Sequence, residues 1–238
     1  MHPLFITGLV LALITALMMP YYCKITFDGK DKWTLSVKMM LSSLFLLTAI
    51  LSLFSHPVRH NYMFVMLAGF AADYIGDYIL GKNERAVYFA VGSVFFAAGH
   101  VLYAVAFSMA QKRLFPQIGW FNGFEIGVFL TITAVMLLII LVKKPAFDPL
   151  FWPMFVYCLI ATLMVSKAAG LAFRTFSTAP SMVLALISAL CFLYSDYTLG
   201  MMRFKIHDKT YAFKSACTVS YFIAQMLMAL SMFTLIRL

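Results

Sequence analysis

Three carboxylates, Asp73, Asp77 and Asp196, fall inside long apolar runs of this 238-residue chain, where inserting a charge costs about 2.5–3.5 kcal/mol. An intramembrane carboxylate held at that cost is a functional-site residue by default. Asp73 and Asp77 stand four apart and so share one helix face, in a segment where Ala68, Gly69, Ala71, Ala72 and Gly76 let neighbouring helices approach closely. Counting about 1.5 Å per helical residue puts all three within a slab roughly 5–12 Å below one membrane face. Lys38 enters this slab from a second helix and Tyr221 from a last one, with Gln225 one turn after Tyr221. His100 and Tyr103 lie three apart on a fourth helix, somewhat deeper.

Carboxyl groups removed from water and placed near one another divide into a proton donor and a proton acceptor. That arrangement suits hydrolysis through an oxocarbenium-like transition state, in which one carboxyl delivers a proton and another stabilises the cation or activates water. An Asp–Lys or Asp–Tyr pair also serves as plain interhelical glue, but glue does not need three acids at one depth. Other chemistries find no support. The chain has no GxSxG elbow, P-loop or HExxH helix. A zinc site wants about three imidazole or equivalent ligands. Only His100 lies well inside a span, with His2, His56, His60 and His207 terminal or in loops. No metal and no cofactor is expected. Cys23, Cys158, Cys191 and Cys217 show no CxxC spacing and read as small hydrophobes. Glu125, near the start of a helix, is expected to reach the interface, and Asp28, Asp31, Glu84, Asp148 and Asp208 fall in loops or at helix ends.

The elements that position these residues follow from composition. At 63% hydrophobic and 11% charged the chain departs far from soluble domains, which are about 45–50% apolar and about 25% charged. An all-α, polytopic transmembrane bundle is the fold class. Runs of roughly 20 apolar residues are needed per crossing. About eight occur: Leu4 to Tyr22, Leu35 to Phe54, Tyr62 to Leu80, Ala86 to Met109, Trp120 to Val142, Pro149 to Leu171, Pro180 to Met202 and Phe213 to Ile236. The first run lacks a basic leader and a small-x-small cleavage site, so it reads as a helix and not a signal peptide. With no linker, composition shift or obvious internal repeat, residues 1–238 read as one domain. The formal net charge of +9 resides in short loops, where topology and lipid headgroups account for it better than nucleic acid does.

Lys24, Lys30, Lys32, Lys38, Lys82, Arg85, Lys143, Lys144, Arg203, Lys205, Lys209 and Lys214 gather on the face reached by the loops after the odd-numbered spans. The other face has only Arg59, Lys112, Arg113, Arg174 and Arg237, and Lys167 lies within a span. The positive-inside rule makes the richer face cytoplasmic and both termini non-cytoplasmic.

Short motifs then carry a resemblance. Ala72-Asp73-Tyr74-Ile75-Gly76-Asp77-Tyr78-Ile79-Leu80, followed by Gly92 through Tyr103 and on to Phe107, resembles the YhhN-like lysoplasmalogenase family. Cys191-Phe192-Leu193-Tyr194-Ser195-Asp196 with Leu199 and Phe204 is similar to its "F…SD…L…F" segment, and Ser220-Tyr221-Phe222-Ile223-Ala224-Gln225 to its "Y…AQ" segment. Lys38 matches the family's lysine early in helix two, though Met39 stands where a proline is usual. The resemblance implies an eight-helix hydrolase that cleaves the vinyl ether of a lysoplasmalogen to a fatty aldehyde and glycerophospho-ethanolamine or glycerophosphocholine. It implies Asp77 and Asp196 as the catalytic carboxylates. Asp73 departs from the small residue the family usually has there. Lys38, His100, Tyr103, Ser195, Tyr221 and Gln225 are expected around them in supporting or substrate-binding roles. The expected partners are the lysophospholipid substrate and membrane lipids.

A contrasting expectation is a proton- or cation-coupled transporter using the same aspartates. No inverted repeat and no pair of broken helices is legible in the sequence to favour it.

Overall fold

The computed structural model describes residues 3–28, 33–55, 60–82, 85–143, 149–204 and 210–235. Several residues of the charge and histidine readings lie outside them: His2, Lys30, Asp31, Lys32, His56, Arg59, Glu84, Lys144, Asp148, Lys205, His207, Asp208, Lys209 and Arg237. The described chain forms α1 (Pro3–Asp28), α2 (Thr34–Phe54), α3 (Asn61–Lys82), α4 (Ala86–Leu114), α5 (Gly123–Lys143), α6 (Phe151–Thr175), α7 (Val183–Arg203, led in by a 3₁₀ turn at Pro180–Met182) and α8 (Tyr211–Leu235). All eight are long and apolar enough to cross a membrane. The protein is a multi-pass integral membrane protein. The expected spans hold, with α1 running on to Asp28 and α4 to Leu114.

Packing follows a simple plan. Helices α2, α3, α4, α6, α7 and α8 each pack on the next, and α8 returns to α2, closing a six-helix ring. Outside it, α1 packs on α2 and α8, while α5 packs chiefly on α6. The ring encloses large side chains wholly removed from solvent, among them Phe45, Phe70, Tyr103, Phe107, Phe192 and Phe222. Aliphatic and aromatic side chains on the opposite faces remain exposed, for example Leu17, Leu138 and Leu141, as lipid-facing surface requires.

The packing plan repeats after four helices: α1·α2, α2·α3, α3·α4 and α2·α8 correspond to α5·α6, α6·α7, α7·α8 and α4·α6. The sequence carries the same repeat at low identity. Asp77-Tyr78-Ile79-Leu80-Gly81 of α3 reappears as Asp196-Tyr197-Thr198-Leu199-Gly200 of α7. The same offset, without a gap, brings Phe5 and Gly8 onto Phe124 and Gly127, Val37 and Leu44 onto Val156 and Leu163, and Lys38 onto Tyr157. A longer loop before α8 then shifts the register, after which Ser93-Val94, Phe96, His100, Leu102 and Ala104 match Thr218-Val219, Tyr221, Gln225, Leu227 and Ala229. Contacts agree. Gly81 faces Leu35, and their counterparts Gly200 and Met154 face each other. Phe96 and its counterpart Tyr221 meet edge to face, with centroids 5.7 Å apart, as residues do when a pseudo-twofold axis passes between them. Four helices are an even number, so the halves have parallel topology and the axis runs along the membrane normal.

One sequence expectation is corrected. Glu125 does not reach the interface. Its side chain turns into the bundle, is 1% exposed, and pairs with Lys167 of α6 at 2.7 Å. Lys167 also donates to the Trp120 carbonyl and sits 3.9 Å from the Phe121 ring centroid. The Glu125 carboxylate fills the space where Gly170 has no side chain. A start-of-helix position gives depth but not direction, and here a cation one helix away makes the inward direction favourable. This pair anchors the first turn of α5. Replacing Lys167 by Met is expected to leave Glu125 buried without a cation and to destabilise the protein by about 3–5 kcal/mol. Replacing both, as Glu125→Leu with Lys167→Met, is expected to recover most of that loss. Thermal unfolding in detergent checks it, and a Lys167→Met protein that melts like the parent contradicts it.

Candidate functional site

Every helix of the ring contributes a polar group to the interior: Lys38 and Ser42 from α2, Asp73 and Asp77 from α3, His100 and Tyr103 from α4, Tyr157 from α6, Asp196 from α7, and Tyr221 and Gln225 from α8. They assemble into two centres.

The first is built on α3. Asp77 Oδ1 is 3.0 Å from Lys38 Nζ. Asp77 Oδ2 accepts from Ser42 Oγ at 2.6 Å and from the Tyr221 hydroxyl at 2.7 Å. Gln225 Nε2 then bridges the two aspartates of α3, donating to the Tyr221 oxygen at 3.0 Å and to Asp73 Oδ2 at 2.8 Å. Tyr103 also donates to Asp73 Oδ2, at 2.9 Å. The four-residue spacing of Asp73 and Asp77 has its expected effect, since both face the same neighbours. Gly99 lets the network close, because a side chain there would collide with Asp73 Oδ1. Asp77 is thus ion-paired with an ammonium through Oδ1 and accepts from two hydroxyls through Oδ2.

The second centre is built on α7. Asp196 Oδ2 lies 2.9 Å from His100 Nε2, and the same nitrogen is 3.2 Å from the Tyr157 hydroxyl. Asp196 is 6% exposed, against 1% for Asp77 and 0% for Asp73, which makes it the most accessible of the three. His100 Nδ1, Asp73 Oδ1 and Gln225 Oε1 are buried with no hydrogen-bond partner among the described residues.

The buried Phe192 ring packs against both centres, with centroids 5.3 Å from His100, 6.0 Å from Tyr221 and 6.1 Å from Tyr103. Phe192 is the repeat counterpart of Asp73. The pseudo-twofold relation extends to the chemistry. Asp77 and Asp196 correspond, and each is served by the corresponding position of the helix before it, Lys38 directly and Tyr157 through His100. The partners from α4 and α8 cross over: His100 reaches Asp196 of the second half, and its counterpart Gln225 reaches Asp73 of the first.

Of the residues singled out in the sequence, Lys38, Asp73, Asp77, Tyr103, Tyr221 and Gln225 come together at the first centre, and His100 and Asp196 at the second. Ser195 takes no part in either. Its hydroxyl donates to the Cys217 carbonyl at 3.0 Å and ties α7 to α8. Sequence reasoning missed Ser42, Tyr157 and Phe192. Ser42 is one turn from Lys38 on the same face, and Tyr157 is found once the repeat is seen, at the position equivalent to Lys38. Among the described residues, no three His, Cys, Asp or Glu side chains converge as a metal site needs.

Fold and site together define an integral membrane protein organised around buried carboxylate centres at the junction of two four-helix halves. The chain belongs to the YhhN family, whose model matches residues 33–232, from the residue before α2 to near the end of α8. No curated protein and no solved structure matches it.

Proposed function

We propose that this protein is a membrane hydrolase of the lysoplasmalogenase type, cleaving the vinyl ether of a single-chain glycerophospholipid. Family membership is consistent with a hydrolase. The observation that carries the reading is the presence of two carboxylate centres, one pairing Asp77 with an ammonium and two hydroxyls and one pairing an acid with an imidazole at Asp196.

Vinyl-ether hydrolysis adds a proton to the β-carbon of the double bond and leaves an oxocarbenium ion. Water adds to that cation, and the resulting hemiacetal releases aldehyde and the glycerol hydroxyl. The proton consumed at carbon is regained from the attacking water, so the net reaction takes up one water. In this reading Asp196 delivers the proton, and His100, on the same oxygen, collects one from the attacking water and restores it. Asp77 contributes fixed negative potential that favours the cation, and Lys38, Ser42 and Tyr221 hold it in place. Phosphate contact by Lys82 and Arg85, cytoplasmic placement of the end where α3 and α7 finish, and non-cytoplasmic termini complete the proposal.

The test is aldehyde release by detergent-purified protein from lysoplasmenyl-ethanolamine, with the matched ester-linked lipid as control. Aldehyde from the vinyl ether alone is the expected result. A folded, monodisperse sample that releases none between pH 5 and 8 overturns the reading.

The parallel repeat favours one other reading, because several transporters are built from halves related by an axis along the membrane normal. In that case Asp77 and Asp196 bind a proton or cation on a path open alternately to either face. Ion flux in proteoliposomes without aldehyde release selects it.

A further inference from the structure

We infer that the cleft between α5, α6 and α7 is the binding groove for the hydrocarbon chain of the substrate, an inference that rests on the lipid-hydrolase reading. The cleft lies where α5 and α7 end and α6 begins. Met136 and Ile140 line it from α5, Met154 and Cys158 from α6, and Gly200 and Phe204 from the α7 side. About 500 Å³ of space lies along it, most of it open to the surroundings, so it is a shallow surface groove and not an enclosed cavity.

Three observations select the occupant. First, the cleft lies on the helices that carry the second centre. Tyr197 and Cys158 line it, and they adjoin Asp196 and Tyr157 in sequence. The Tyr197 hydroxyl is engaged with Thr162 at 3.0 Å, so the lining presents an apolar surface. Second, α5 is anchored at its other end by the Glu125–Lys167 pair and packs chiefly on α6. The side between α5 and α7 is therefore where a chain enters from the bilayer. Third, the repeat supplies an internal control. In the first half, Gly81 is covered by Leu35 at 2.9 Å and Lys38 at 3.2 Å, whereas at the equivalent Gly200 an added Cβ would meet only Met154, at 3.7 Å. Lys82 and Arg85 occupy the positions equivalent to Met201 and Phe204. The first half is thus closed over at Gly81, and the second is open and apolar in its lining, with the Arg203 guanidinium over the Phe204 ring at its rim. An open apolar lining with a cation at its rim matches the hydrocarbon chain of an amphiphile whose headgroup carries a phosphate.

The test uses the full-length protein. Gly200→Leu places a branched side chain in the cleft, and Gly127→Leu, on the open face of α5 where nothing lies within 4 Å, is the control. Gly200→Leu is expected to lower kcat/KM for long-chain lysoplasmalogens at least tenfold more than for short-chain ones, while Gly127→Leu leaves the chain-length profile unchanged. An ester-linked lysophosphatidylethanolamine with a diazirine at the chain terminus, irradiated with the wild-type protein, is expected to label peptides covering 136–140, 151–158 or 197–204. Excess unlabelled lysolipid should compete, and bilayer phospholipid should not. Labelling elsewhere, labelling displaced equally by bilayer phospholipid, or the same chain-length profile in both leucine variants overturns the groove. Competed labelling of these peptides by a protein that releases no aldehyde supports the groove and sinks the hydrolase reading instead.

Discussion

Asp196→Asn is expected to lower kcat/KM for the vinyl-ether lipid by about 10²–10⁴, the range typical for removing a general acid or base, with little change in melting temperature. The substitution nearly preserves shape and leaves an amide oxygen to meet His100 Nε2, 2.9 Å away in the wild type. It removes the group that can deliver and recover a proton. His100→Gln sharpens the result, because the fold already uses glutamine at the equivalent position, Gln225. A glutamine at 100 keeps a donor to Asp196 without the capacity to accept a proton from water. A loss comparable to that of Asp196→Asn is expected if proton return runs through the imidazole, and near-normal turnover would reduce His100 to an orienting group. An Asp196→Asn protein with wild-type aldehyde release would remove Asp196 from the mechanism. Both readouts come from one assay, aldehyde formation alongside thermal unfolding of the same preparation.

The second large effect is expected at Lys38 and Asp77. Either residue alone in the interior is an uncompensated charge, so Lys38→Met and Asp77→Asn should each destabilise the protein by about 3–5 kcal/mol. The double variant removes both charges and retains Ser42 and Tyr221 as partners for the asparagine oxygen. Its stability should return most of the way, because residues in one ion pair couple and do not add. Its activity should not return, since the negative potential facing the developing cation is gone. Unfolding midpoints and aldehyde release measured on all three variants separate the two roles. A double variant that regains turnover, or a fully active Asp77→Asn protein, would show that this pair is structural alone.

How much of this was legible beforehand depends on which coordinate is asked for. Depth in the membrane was readable, because each helical residue advances a fixed distance and the spans announce themselves as apolar runs. Asp77 accordingly meets Lys38 and Tyr221. Rotation about each helix axis was not readable. A slab fixes height and leaves open which neighbour a side chain meets, so the pairing of Asp196 with His100 and of Asp73 with Tyr103 and Gln225 appears only in the structure. The same gap explains Glu125, whose position in the first turn was compatible with facing either water or Lys167. The repeat was hidden for a different reason. Its identities are concentrated at the packing and polar positions, such as Asp77-Tyr78 and Asp196-Tyr197, while lipid-facing positions accept almost any apolar residue. The longer loop before α8 also breaks the register just where His100 and Gln225 would have revealed it.

The sequence separation within the polar core bears on biogenesis. Lys38, Ser42 and Asp77 belong to consecutive helices, with Ser42 and Asp77 only 35 residues apart, so the most costly charge pair is able to form while the rest of the chain is still being synthesised. Asp73 depends on Gln225, 152 residues downstream, and Asp77 gains Tyr221 only after 144 more residues have emerged. Until α8 has inserted, Asp73 has Tyr103 as its one hydrogen-bond donor among these partners. The insertion of α8 therefore completes the compensation of the acids on α3, and a chain truncated before α8 would present the membrane quality-control machinery with incompletely compensated intramembrane carboxylates.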